Sequence, residues 1–221
     1  MSIEQRPRTR REERAADRAD RSGSGPTRDG RPMLRHPGAA GAFALLGEVL
    51  LTGILVTVVS LPVITLPIAL AAGIRHLRRY VAAEDSRVRL FWADVRTGIL
   101  SGAVVGAAAL VATLVLLLDI DLARSGFLPG AAVVEGVGWA GLAALAVAIL
   151  LAAGAWTPTT GWRAAVRAIP DAPRGDVVGV LYLVATAAFV VVVTWALPPL
   201  FVAGIGCAAL AVVAIPARPR R

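Results

Sequence analysis

Residues 98–118 read GILSGAVVGAAALVATLVLLL, a run without a single charged side chain. At about 1.5 Å of rise per residue such a run spans about 31 Å as a helix, which matches a hydrocarbon core of about 30 Å. No alternation of polar and apolar positions passes through it, so a barrel strand is excluded. Five further apolar runs carry the same reading along the chain: residues 41–60, 61–74, 137–156, 177–196 and 200–215. Pro62, Pro67, Pro158, Pro170 and the Pro198–Pro199 pair sit between these runs or at their ends, where they punctuate hairpins. The expected fold is all-α, a polytopic transmembrane helical bundle of about six spans.

Composition supports this, since 57% of the residues are hydrophobic and 17% are charged. All 23 basic residues are arginine, and they avoid the apolar runs. The formal charge of +8 does not indicate nucleic-acid binding, because no recognisable binding motif accompanies it and the arginines lie in tails and loops. Basic loops beside apolar helices mark cytoplasmic exposure instead. With six spans and an inside N-terminus, 22 arginines fall on the cytoplasmic side and Arg124 alone falls outside. If residues 61–74 fail to cross, the division becomes 11 against 12 and the asymmetry disappears. Six spans with both termini cytoplasmic is therefore expected. At fourteen residues, the 61–74 run is short, so its arginine-bearing end must snorkel or its helix must continue to Tyr80.

Three regions follow. Residues 1–40 read as a disordered, Arg-rich cytoplasmic tail, residues 41–216 as the transmembrane domain, and residues 217–221 as a basic cytoplasmic C-terminus. The Arg10–Arg11 pair is followed by acids and lies some thirty residues before the first apolar run, which does not fit the geometry of an export signal. Trp139, Trp156 and Trp195 fall near the ends of spans, with Phe91 and Trp92 just before the third, as interfacial aromatics do.

Gly98, Gly102 and Gly106 recur every four residues, and Ala140, Ala144, Ala148 and Ala152 repeat that rhythm one span later. Small-residue stripes allow close helix approach in lipid, and these two are expected to pair. Two cytoplasmic segments exceed simple turns. Residues 75–96 are expected to continue the second span and then lie along the membrane surface, and residues 157–176 to hold a short helix between Thr159 or Thr160 and Pro170. Arg75, Arg78, Arg79, Phe91, Trp92 and Trp162 are the candidate partner-docking residues there.

Catalytic chemistry is sparse. No lysine is present, which rules out a P-loop or Schiff-base lysine in this chain. His36 and His76 are the only histidines, so a zinc-protease helix is excluded and Ser101 has no base within its span. No cofactor or metal site is expected, and Asp119 and Asp121 read as capping or interfacial groups, with cation binding by the pair as the alternative. Cys207 is the sole cysteine. Glu48 is the candidate intramembrane polar site, a lone carboxylate in the first apolar run. Its insertion cost of about 3 kcal/mol is offset by the run's Leu, Ile, Val and Phe side chains, which return about 0.3 to 0.6 kcal/mol each. It either snorkels toward an arginine or takes a buried polar role.

The proline-punctuated hairpin Leu61-Pro62-Val63-Ile64-Thr65-Leu66-Pro67, then Ile68-Ala69-Leu70-Ala71-Ala72, leads into a basic stretch ending Phe91-Trp92-Ala93-Asp94-Val95-Arg96. This layout resembles the YesL-like family of small multi-helical bacterial membrane proteins. The resemblance implies a plasma-membrane protein without established catalytic residues, accessory to carbohydrate uptake, with ABC transporter subunits as partners. The chain carries neither a nucleotide-binding motif nor the E-A-A and distant glycine pattern of sugar-import permeases, so it is expected to replace neither subunit. A small stand-alone transporter is the alternative, hinted at by the proline-broken hairpins.

Overall fold

The computed structural model describes residues 42–125 and 130–218. The expectations for the N-terminal tail and for the last three residues lie outside the described residues. Among the described residues every regular element is helical: α1 (Ala42–Val59), α2 (Leu66–Val81), α3 (Val88–Arg124), α4 (Ala131–Ala155), α5 (Gly161–Arg167), α6 (Asp171–Gly175), α7 (Val177–Ala196) and α8 (Leu200–Ala214), the last followed by a 3-10 turn (Ile215–Ala217).

Four of these helices are long and apolar enough to cross a membrane: α3, α4, α7 and α8 with its 3-10 extension. In the best window of α3, and likewise of α7, only 11% of the residues are buried, so most of the apolar side chains point outward. Leu100, Val104, Val111 and Leu118 on α3, and Leu181, Val191, Val192 and Trp195 on α7, are all exposed. An apolar surface this continuous marks contact with lipid or a partner. Helix α1 is apolar but shorter.

Helix α2 stands apart. Pro67 through Ile74 are buried without interruption, as are His76 and Leu77. Ala69, Ala71, Ala72 and Gly73 keep its cylinder narrow, and α1, α3, α4 and α8 pack around it. The helix continues to Val81, so the short apolar run of the sequence is prolonged through its arginines. Because the bundle encloses α2, its limited length need not match a bilayer. The turn preceding it closes on itself, with Val63 N–H donating to Ser60 at 2.8 Å and Leu66 N–H to Val63 at 3.0 Å.

That turn reaches Gly106, the midpoint of α3, where a Cβ would collide with the Ile64 carbonyl. At 37 residues α3 extends about 55 Å, and its second half runs on beside α4, where Gly138 and Gly141 admit Ile120 and Leu116. The first hairpin thus reaches only half the height of α3. The structure also departs from the expected surface segment at residues 75–96, which instead forms the end of α2, a short turn and the first turns of α3.

The two helices that carry the glycine and alanine stripes do pack together, but not stripe against stripe. Gly98 and Gly102 abut Ile68, Trp156 and Trp162, so the glycine face receives α2 and two tryptophans. Ala140 and Ala144 are exposed, Ala148 is half-buried and only Ala152 is buried. A side chain as large as Trp156 fills the gap that glycine opens, and the alanine stripe does not enter it. A closer approach was missed: Gly53 of α1 meets the Val202 backbone and Gly206 of α8 meets that of Val49.

Candidate functional site

The charged chemistry collects at one end of the bundle, where α2 and α8 finish, α3 and α7 begin, and α4 gives way to α5. Asp94 lies at its centre. It is buried on the second turn of α3, and its Oδ2 accepts from Arg79 Nη2 at 2.7 Å and from Arg75 Nε at 3.1 Å. The two arginines are one helical turn apart on α2, so both reach a single carboxylate on the neighbouring antiparallel helix. Arg75 also lies over the Trp156 ring at 5.9 Å, and Trp156 packs against Trp162 at 5.9 Å between centroids.

A second pair ties α1 to α2. Glu48 Oε1 stands 2.6 Å from Nε2 of His76, whose side chain has no exposure at all. Glu48 therefore meets a histidine of the bundle rather than the arginine that a snorkelling carboxylate would seek. A hydrogen bond at this distance leaves fewer unmet polar atoms in the core. Among the described residues, Thr52 Oγ1, His76 Nδ1 and Arg79 Nη1 are buried with no hydrogen-bond partner in the protein.

A third contact closes the end of α8. Asp176 caps α7 by accepting from Gly179 N–H at 2.8 Å, and Arg218 pairs with the same carboxylate while stacking 5.4 Å from the Tyr182 ring. Arg78 differs from its neighbours, donating to the Gly154 carbonyl at 3.2 Å and forming no ion pair among the described residues. At the opposite end of α3, Arg124 is matched by Glu135 at 2.6 Å and stacks 5.8 Å from Trp139.

The candidate docking residues divide. Phe91 and Trp162 are buried, and Arg75 and Arg79 are half-buried and braced on Asp94, so none of the four projects freely from the surface. Burial of Trp162 follows from the close packing that Gly102 allows. Trp92 and Arg78 are exposed. Trp156 is likewise interior, contrary to an interfacial reading, whereas Trp139 and Trp195 are outward. Helix α5 forms where the short cytoplasmic helix was expected, with Thr160 before its first residue. Asp119 and Asp121 are exposed on the last turns of α3.

Asp94 was not singled out from the sequence. The available signal was a lone acid beside Phe91 and Trp92 in a segment rich in arginine. Comparison of the chain with family models, with curated proteins and with solved structures returned no match.

Proposed function

We propose that this chain is an integral protein of the plasma membrane, with both termini and the arginine-bearing end cytoplasmic, and that it serves as a non-catalytic membrane partner of a transport complex. The observation that carries this reading is how its polar groups are used. Glu48, His76, Asp94, Arg75 and Arg79 are turned inward and paired, which braces helices, while Arg89, Trp92 and Arg96 lie exposed on one face of α3 at the same end. Spacings of three and four residues set these side chains in a row on the helix. A basic row with an aromatic centre suits an acidic partner surface, and steering by its charge favours encounter.

The arginine asymmetry supports the orientation. In this reading the α1–α2 hairpin enters from the cytoplasmic side and returns to it, so the hairpin contributes no change of side whether or not its turn crosses fully. The six-helix arrangement then keeps the arginine-bearing ends together. The resemblance of the first hairpin and the following basic stretch to the YesL-like family supports carbohydrate ABC transporter subunits as the partner.

Deleting the gene is expected to lower uptake of, or growth on, one carbohydrate while the transporter genes stay intact. Reversing Arg89 and Arg96 together to glutamate is expected to reproduce that loss with the protein still present in the membrane. Normal uptake in both strains would refute the partner role. Purified protein that alone moves a solute across liposomes would favour the stand-alone transporter.

A further inference from the structure

Between α4, α6, α7 and α8 lies a cleft of about 400 Å³, within the usual range for small-ligand sites of about 300–1,000 Å³. Its walls are apolar, formed by Leu151, Val180, Leu183, Val212 and Ile215, and Arg78 stands at its edge. A second, smaller and more polar pocket of about 180 Å³ lies beside it, lined by Arg75, Arg78, Arg79, Ala82 and Glu84. Arg78 belongs to both. One guanidinium therefore joins an apolar slot to a cationic recess.

Charge narrows the occupant. Among the described residues, the two pockets and their immediate partners bring together Arg75, Arg78, Arg79, Arg174 and Arg218 against Asp94, Glu84, Asp171 and Asp176, a surplus of one positive charge. Asp171 is paired with Arg174 at 2.9 Å and Asp176 with Arg218, while Asp94 holds Arg75 and Arg79. Arg78 is the one of these five guanidiniums without a carboxylate partner among the described residues. Among the described residues its one hydrogen bond goes to a carbonyl, so it retains donors for an anion.

We propose that the cleft and the recess form one binding site for an anionic phospholipid, with an acyl chain along Leu151, Leu183 and Val212 and the phosphodiester on Arg78. A phosphodiester carries one negative charge, which matches the surplus, and basic pockets between helices at the cytoplasmic face suit such headgroups. The proposal rests on the membrane reading for the source of the ligand. Its test uses the full chain already solubilised in a non-ionic detergent, so failure here leaves the membrane reading intact.

Native mass spectrometry of delipidated protein, with phosphatidylglycerol, phosphatidylcholine or inorganic phosphate added, reads the site directly. Phosphatidylglycerol is expected to be retained at least tenfold better than phosphatidylcholine, and inorganic phosphate alone not to displace it. Arg78→Gln should reduce retention about tenfold, Arg78→Lys should largely preserve it, and Ala155→Phe, at the exposed mouth of the cleft, should obstruct the chain. Arg163→Gln, at an exposed position of α5, should leave retention unchanged. Unfolding temperatures identify any variant that fails to fold, and Ala155→Phe then decides without disturbing the charge. Equal retention of both lipids, retention unaffected in folded Arg78→Gln and Ala155→Phe, or displacement by phosphate alone would overturn the proposal.

Discussion

Removing the Asp94 carboxylate would leave two guanidiniums facing each other in a recess that excludes most water. Breaking a buried ion pair from one side costs about 3–5 kcal/mol, so Asp94→Ala is expected to be among the most destabilising single changes in the bundle, measured by thermal unfolding in detergent. Glu48→Leu would strand the buried His76 imidazole without its partner, at a cost of about 1–3 kcal/mol, and Glu48→Gln, which keeps a hydrogen-bonding oxygen, is expected to cost less. A Glu48→Leu protein as stable as the parent would mean that the pair contributes nothing. Glu48 was legible in the sequence because a charge within an apolar run is conspicuous. Its partner was not, since His76 lies 28 positions away and belongs by sequence to a basic stretch. Asp94 was obscured for the same reason: among so many arginines, only the hairpin geometry selects Arg75 and Arg79.

Helices were read from apolar runs with little error where lipid-facing composition alone sets their extent, as in α7, whose bounds coincide with the run 177–196. The apolar run failed as a guide where α3 gains its first turns through charged residues, whereas the continuation of α2 through its arginines was expected from the shortness of its run. Small residues announced close approach without naming the neighbour. Gly98, Gly102 and Gly106 do lie at a contact, but a four-residue rhythm carries no information about which helix fills it, and the partner is α2 with its preceding turn. Gly106→Ala is expected to destabilise by about 1–3 kcal/mol or more, because the obstacle is backbone rather than a movable side chain. Gly136→Ala, where a Cβ meets nothing within 4 Å, should be neutral or stabilising by about 0.5–1 kcal/mol. Equal effects of the two substitutions on unfolding temperature would contradict the assigned packing.

At the scale of the molecule, one end carries most of the ion pairs and exposed arginines among the described residues, and the flanks carry apolar side chains. The antiparallel order of α1, α2, α3 and α4 produces this division, because alternate connections return to the same end. Helical class and one-sided charge were legible from composition, since both follow from where charges are absent. The depth of the first hairpin was not, because its turn meets α3 at Gly106 through a contact between residues 42 positions apart. The orientation is the central claim, and accessibility of single cysteines tests it most directly. In a Cys207→Ala background, Ser125→Cys is expected to react with an impermeant thiol reagent on intact cells, and Ser86→Cys only after the membrane is permeabilised. Labelling of Ser86→Cys but not Ser125→Cys on intact cells would contradict the account.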